Sequence, residues 1–378
     1  MLSVASLFAG IGGFDLAAER MGLEVVLQAE INPSAQRVLR ARFPRARLEP
    51  DATRVDLRGV DLVTAGFPCQ GLSQAASTRK AGGILDPDSP SHVVLAVIEQ
   101  IAKAPPEYLL FENSSELETA KYAEDMRVLL AALRAIGYST STVLLNAGCY
   151  GSRMRRSRTF ILGRTSGFRL MADPAARVRW QCKAEAIGVQ NQHGGAMWCA
   201  QPSITLKAGS YSLMVTPDEV RSLLPEAVES LFGYPTGWTS DAGSMTDRYD
   251  RLGNSVSIYA ARAALQLLLR NRADLATPSA SYTDLYPLTK PAGGGAAGSA
   301  LGRIARTWDV RGGKGRMGNT NLVELHYCVP VYLRWFEEHL DTVRPQDRAT
   351  MLGYLDTLAG RLPAPRPWPQ AVEVVMEQ

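Results

Sequence analysis

Between residues 3 and about 165 the chain alternates short apolar or β-branched runs with stretches of helical periodicity, and that alternation leaves few folds open. SVASLF leads through a glycine loop into FDLAAERMG, and EVVLQAE leads into a segment with Ala35, Val38 and Leu39 on one side. VDLVTAGF is followed by a long polar loop and HVVLAVIEQIA. Then come YLLFEN, AEDMRVLLAALRAIG with Met126, Leu129, Leu130 and Leu133 at helical spacing, STVLLNA and RTFILGR. Near-continuous apolar strands joined by helices build a mostly parallel sheet covered on both faces, so an α/β doubly wound fold is predicted. Gly22 is the expected stop of the first helix.

The rhythm breaks at residue 166. From there to 248, Trp180, Trp198, several glycines and the short β-like pieces PSITL and YSLMV read as a smaller lobe. TPDEVRSLL within it is predicted helical, with Thr216 as cap and Pro217 in the first position. GNSVSIYAARAALQLLLR, residues 253 to 270, returns to an apolar helix suited to packing on the first domain. PAGGGAAGSALG has the composition of a linker, RGGKGRMGN that of a cationic loop, and LRWFEEHL and ATMLGYLDTLAG that of a helical tail. The expected division is residues 1–165 plus 249–272, a lobe at 166–248, a linker at 273–302, and an extension at 303–378 to which no role is assigned.

With 46% hydrophobic and 21% charged residues, the 378-residue chain can bury a large core. No apolar run reaches the roughly 18 residues of a membrane span, and SVASLF directly after Met1 lacks the order of a signal peptide, so a cytoplasmic location is expected. Five scattered cysteines point to free thiols rather than a disulfide framework. Cys182, His193 and Cys199 are too widely spaced, with no CxxC pair, for a metal site to be expected. A net charge of +4 does not by itself announce nucleic acid, but RMRRSR, residues 153 to 158, concentrates positive charge.

FAGIGG, between a predicted strand and helix, would let a ligand approach the backbone at a helix N-terminus, or would simply make a tight turn. Glu30 at the end of the next strand lies where ribose-binding acids fall, and Asp51 opens DATRVD at a third strand end, beside an adenine amino group or as a helix cap. A nucleoside cofactor is favoured, while the absence of a full GxGxxG fingerprint and of a Walker lysine speaks against NAD and ATP. Cys69 in GFPCQGLS stands at the carboxyl end of a predicted parallel strand, opposite that loop, where open α/β sheets place ligands. A buried structural thiol is the commoner fate of a cysteine. Here, however, Pro68 fixes the adjoining backbone, and Glu112, Asn113 and the arginine segment converge on the same crevice.

In this order and spacing the motifs resemble those of the DNA (cytosine-5)-methyltransferase family, over about residues 3 to 270. FAGIGGFDLA resembles its S-adenosylmethionine loop, GFPCQGLS its catalytic Pro-Cys loop, FENSSE its Glu-Asn motif and RRSRTFILG its arginine motif. FGYPTGW and RLGNSVSIYAA resemble its two closing motifs. Arg153 and Met154 stand where the family carries Pro and Gln, Ser114 where valine is common, and Gly71 where a bulkier residue is common.

The resemblance implies methyl transfer from S-adenosyl-L-methionine to C5 of a cytosine flipped out of double-stranded DNA, through a covalent bond from Cys69 to C6. It implies Glu112 as the acid at N3, with Arg156 and Arg158 contacting the base and orienting that acid. Phe8, Gly10, Ile11, Gly12, Glu30, Ile31, Asp51, Pro68, Asn254 and Ser255 are the implied cofactor residues. Gln70, Ser73, Gln74, Arg79, Asn113, Arg153 and Arg155 are the candidate DNA contacts. The long polar loop with Arg79, Lys80, Gly82 and Gly83 is suited to a lid. The lobe at 166–248 is the expected target-recognition region. A role in restriction-modification or self-protection follows, with a cognate endonuclease as expected partner. A tRNA cytosine methyltransferase and a non-catalytic DNA-binding protein on the same scaffold are the alternatives.

Overall fold

The computed structural model describes residues 1–69, 72, 82–170, 177–183, 185–190, 195–198, 212–276, 284–293, 322–343, 345, 347–350, 352–353 and 368–377. The strands β1 (Ser3–Leu7), β2 (Glu24–Ala29), β3 (Arg47–Glu49), β4 (Leu62–Gly66), β5 (Tyr108–Ser114), β6 (Ser139–Asn146) and β7 (Ser157–Arg164) form one sheet in the order β3-β2-β1-β4-β5-β7-β6. All pairs from β3 to β5 are parallel, and β7 alone runs against its neighbours. This is the predicted doubly wound architecture. Its order reverses between β1 and β4, which opens a crevice at their carboxyl ends.

Alternation along the strands explains the two covered faces. Val4 points to one apolar layer and Ala5 and Leu7 to the other. The first layer packs under α1 (Gly13–Glu19), α2 (Pro33–Arg42) and α7 (Ile258–Arg270), through Phe14, Leu39 and Leu265. The second packs under α3 (Val93–Ala102) and α4 (Ala123–Ala135), through Val94, Ile98, Leu129 and Leu133. The start of α2 is fixed by Asn32, whose side chain accepts from Ser34 and Ala35 N–H ahead of Pro33.

A second sheet orders β10 (Gly195–Trp198), β9 (Ile187–Gln190), β11 (Ser212–Val215), β12 (Val220–Leu223) and β13 (Thr289–Pro291), all antiparallel. The segment TPDEVRSLL, predicted helical, is instead a turn and strand β12. Thr216 Oγ1 does accept from Glu219 N–H at 3.1 Å, as a cap would. Thr216 N–H, however, donates to Glu219 O at 3.0 Å, which closes a hairpin, and Val220–Leu223 is buried between β11 and β13. The local capping signal is satisfied within a turn, and burial on both strand edges decides the rest. The next helix, α5 (Pro225–Phe232), begins after it with proline in its first turn.

Residues 225–253, most of them assigned to the lobe by composition, pack on the main domain. Ala227, Leu231, Phe232, Tyr234, Trp238 and Leu252 share the apolar layer of α1 and α7. Arg42 donates to the carbonyls of Gly237 (2.7 Å) and Trp238 (3.0 Å). Helix α6 (Met245–Gly253) opens with a capping box between Ser244 and Asp247 and ends at Asn254, so α7 begins only at Ile258, five residues past the start predicted at Gly253. The expected linker contributes β13 to the small sheet. LRWFEE falls in α8 (Leu322–Glu338), and a last strand, β14 (Ala371–Glu377), pairs with β8 (Arg177–Lys183). PSITL, RGGKGRMGN, His193 and Cys199 lie outside the described residues. Among the described residues no helix is long and apolar enough to cross a membrane.

Candidate active site at the switch point of the sheet

Register brings the motif ends level with one another. Leu7 pairs with Ala65, and the next residue of β4, Gly66, pairs with Glu112 on β5. The glycine loop, the Pro-Cys turn and the Glu-Asn strand end therefore emerge side by side. Asn113 ties two of them together, since its buried amide donates to Phe67 O at 3.1 Å while its carbonyl accepts from Ser114 N–H at 2.8 Å. Pro68 O accepts from Ser91 Oγ at 2.6 Å, and Leu72 N–H donates to Cys69 O at 2.9 Å. Leu72 and Ile84 are both buried, which anchors the two ends of the long polar loop. Gln70, Ser73, Gln74 and Arg79 lie outside the described residues.

Cys69 is partly buried at this turn. Burial pushes its thiol above the ordinary value, and the Arg158 and Arg156 charges pull it back down while Glu112 adds to the rise. Glu112 pairs with Arg158 Nε at 3.1 Å, with the two side chains 12% and 14% exposed. Burial also raises the Glu112 carboxyl, against the pull of the same two arginines. The crevice thus disfavours isolated charges and offsets the penalty with shared cations.

The two arginines divide their work. Arg158, on β7 opposite Ser114, holds Glu112 directly. Arg156 is buried over the Phe232 ring, 5.0 Å from its centroid, and donates to Gly253 O at 3.1 Å and Ser255 O at 2.7 Å. Burial, with Arg158 beside it, lowers its pKa to about 9. At the positions where the family carries Pro and Gln, Met154 is fully buried and Arg153 pairs with Asp284 at 2.6 Å. Ser152 Oγ bridges Leu231 O and Met154 N–H, giving that turn a support of its own. Arg155 is exposed.

In the glycine loop, Phe8 (φ 54°), Gly10 (φ 57°) and Gly12 (φ 84°) adopt left-handed conformations. A Cβ on Gly10 would meet open space, whereas one on Gly12 would lie 2.4 Å from Phe43 Cε2. Gly10 therefore faces outward, and Gly12 packs inward beside the buried Ile11. Glu30 spans the loop, accepting from Gly10 N–H (2.8 Å) and Asn32 N–H (2.7 Å). Its neighbour Ile31 is 80% exposed, a large apolar side chain at the rim. Asp51 accepts from Thr53 N–H at 2.9 Å and Oγ1 at 2.7 Å, so it does cap a turn, and those bonds lower its pKa. Asn254 is exposed, and Ser255 is buried against Tyr234, its hydroxyl hydrogen-bonded to the Tyr234 OH.

Sequence reasoning missed two supports. Trp238 Nε1–H donates to Ile11 O at 2.8 Å, which places FGYPTGW beneath the glycine loop; the motif's position late in the ordered series was the available signal. Asp15, in the first turn of α1, is fully buried, accepting from Ser6 Oγ (3.0 Å) and Gln28 Nε2 (2.8 Å), and burial pushes its pKa up to about 6. Nothing in a first-turn aspartate distinguishes it from an ordinary exposed N-terminal acid.

The model of the C-5 cytosine-specific DNA methylase family matches residues 2–188. Type II methyltransferase M2.BsuMI of Bacillus subtilis is 29% identical over 68% of this chain and 72% of its own length. Type II methyltransferase M.NlaX of Neisseria lactamica is 28% identical over 70% of this chain and 95% of its own. A crystal structure of a Spodoptera frugiperda DNMT2 mutant superposes with a TM-score of 0.53 at 17% identity, covering 71% of this chain and 99% of that one, a likeness of fold.

Proposed function

The chain belongs to the C-5 cytosine-specific DNA methylase family, and from that membership and the crevice we infer that it is a DNA (cytosine-5)-methyltransferase working on duplex DNA. The observation that carries this reading is the meeting of Cys69, the Glu112–Arg158 pair and the glycine loop at one switch point.

C5 of cytosine is a poor nucleophile, and it gains electron density when a thiolate adds at C6. Cys69 forms that S–C6 bond, drawing the C5–C6 π pair toward C5. Burial favours the protonated form of Glu112, which suits it to share a proton with N3 and so withdraw the charge developing in the ring. Once C5 has spent that electron pair on a bond to the methyl group the cofactor would supply, loss of the C5 proton expels the Cys69 thiolate and restores the ring. Arg158 holds Glu112 in register, and Arg156 joins the arginine segment to the 253–255 return.

The open side of the glycine loop fits a nucleoside cofactor: bare backbone at Gly10, a carboxylate at Glu30, an exposed apolar cover at Ile31. S-adenosyl-L-methionine, when bound, supplies the electrophilic methyl group. Gly10, Glu30, Ile31, Asp51, Pro68 and Asn254 hold it, with Phe8 shaping the turn, while Ile11, Gly12 and Ser255 back the site from the protein side. Asn113 fixes the Pro-Cys loop, and Arg155 and the polar-loop residues Gln70, Ser73, Gln74 and Arg79 meet the DNA. A base inside the stack cannot reach Cys69, so the target is flipped out. The relatives named type II methyltransferases support a place in restriction-modification, with a cognate endonuclease as its counterpart.

Incubation with duplex DNA and S-adenosylmethionine, followed by bisulfite conversion, tests the reading. Protected cytosines should recur within one short sequence and vanish with Cys69→Ser. Unprotected DNA, or equal protection by the serine variant, would overturn it.

A further inference from the structure

The chain beyond α7 carries no motif that the methyl-transfer reading uses, yet its described parts join the second sheet, pair with β8 and lie against the turn before the arginine motif. After Arg270 it lays Ala276 against the turn Ala147–Cys149 that leads to the arginine motif, with Ala276 N–H donating to Cys149 O at 3.1 Å. Asp284 then takes Arg153 in its ion pair. Strand β13 extends the second sheet at β12, flanked by Leu224 N–H to Leu288 O (3.0 Å) and Ala292 N–H to Val220 O (2.9 Å). Arg221 seals this junction, lying 4.2 Å from the Tyr286 ring centroid, 2.9 Å from Glu219 Oε2 and 3.2 Å from Thr289 O. Helix α8 packs on β10 and β12 and buries Val331, Tyr332, Trp335 and Phe336.

The last strand matters most. β14 pairs antiparallel with β8 along its whole length, from Ala371 opposite Lys183 to Glu377 opposite Arg177, and among the described residues β8 has no other strand partner. A lone strand has no ladder to satisfy its N–H and C=O groups, and even a two-stranded ribbon is marginal unless it packs on something. This ribbon does pack: β14 touches the turn Ala147–Cys149 just before the arginine motif. The strand it completes, RVRWQCK, carries Arg177, Arg179 and Lys183, and Arg179 is exposed. A cationic strand held beside the arginine segment suits the phosphate backbone of a duplex entering the crevice.

We propose that the target-recognition lobe draws elements from two stretches of chain, β8 to β12 from the first and β13, α8 and β14 from the second, and that the C-terminal strand orders the cationic strand β8 for contact with duplex DNA. This rests on the DNA methyltransferase reading. The test compares the full chain with a chain ending at Gln370, which lacks β14, and with full-length Val374→Pro, which puts a residue without a backbone N–H in the middle of the ribbon. Each is measured for duplex DNA affinity by fluorescence anisotropy, for S-adenosylmethionine affinity by calorimetry, and for hydrogen exchange over 177–183.

Both variants should keep cofactor affinity, lose exchange protection at β8, and bind duplex DNA roughly tenfold or more weakly. Unchanged DNA affinity in the truncated chain would overturn the proposal. So would loss of cofactor affinity in both variants, because the C-terminus would then support the catalytic domain instead of the lobe. Failure of the full chain itself to methylate duplex DNA would count against the methyltransferase reading, and is read separately.

Discussion

Asp15→Asn isolates the electrostatic cost of the carboxyl buried beneath the glycine loop. Asp15 is fully buried, and its pKa rises from 3.8 to about 6, chiefly through burial, with the Gln28 and Ser6 hydrogen bonds opposing the rise. A carboxyl raised in the folded state binds more protons there than in the unfolded chain between those two values. Stability therefore falls as pH climbs through that window. A difference of about two units corresponds to about 3 kcal/mol, fully lost by pH 8, with about half already lost at pH 5. Asparagine has nearly the same shape, can still accept from Gln28, and does not titrate. Any fixed packing difference between variant and wild type is the same at both pH values. Urea denaturation of both proteins at pH 5 and pH 8 should show the variant gaining about 1.4 kcal/mol on the wild type as pH rises. A stability difference that is flat over this range, or that moves against the variant, would refute the reasoning.

Asn113→Ala strips partners from the buried Phe67 carbonyl and Ser114 N–H, a cost of about 1–3 kcal/mol; thermal melting should fall, and kcat for methyl transfer should fall more than cofactor affinity does. Gly12→Ala forces a side chain into φ 84° with its Cβ 2.4 Å from Phe43, so a loss of about 2–4 kcal/mol in denaturant titrations and weaker cofactor binding are expected. The pH dependence of kcat has two opposed limbs. On the proposed mechanism Cys69 attacks as the thiolate, and burial raises its thiol above the ordinary value, so the rate should climb from pH 6 into the alkaline range. Deprotonation of Glu112, whose carboxyl burial raises, opposes that rise. Stopped-time methylation assays across pH 6 to 9 check the sign of the rising limb.

The doubly wound sheet was legible because its signal is local and repeated: apolar runs such as VDLVTAGF and YLLFEN can only be buried strands, and the helices between them keep one apolar stripe. The crevice was legible for a related reason, since motif residues at strand ends are brought level by the register itself. TPDEVRSLL misled because Thr216 makes the same side-chain bond in a hairpin turn as at a helix start. The support of Trp238 for Ile11 and the burial of Asp15 depend on contacts between segments far apart in sequence or on what lies above a helix, and no local pattern encodes them. The pairing of β14 with β8 joins strands nearly two hundred residues apart by backbone bonds. Any apolar strand could have made those bonds.

The most direct measurement of the chemistry is mass spectrometry of the protein after incubation with S-adenosylmethionine and a duplex carrying 5-fluorocytosine at the mapped site. Fluorine at C5 cannot leave as a proton, so the thiolate stays bonded to C6. A protein–DNA adduct whose cross-linked peptide contains Cys69, absent without cofactor and absent in Cys69→Ser, is the expected result. Methyl transfer to ordinary duplex with no adduct on the fluorinated one, or an adduct on a different side chain, would contradict it.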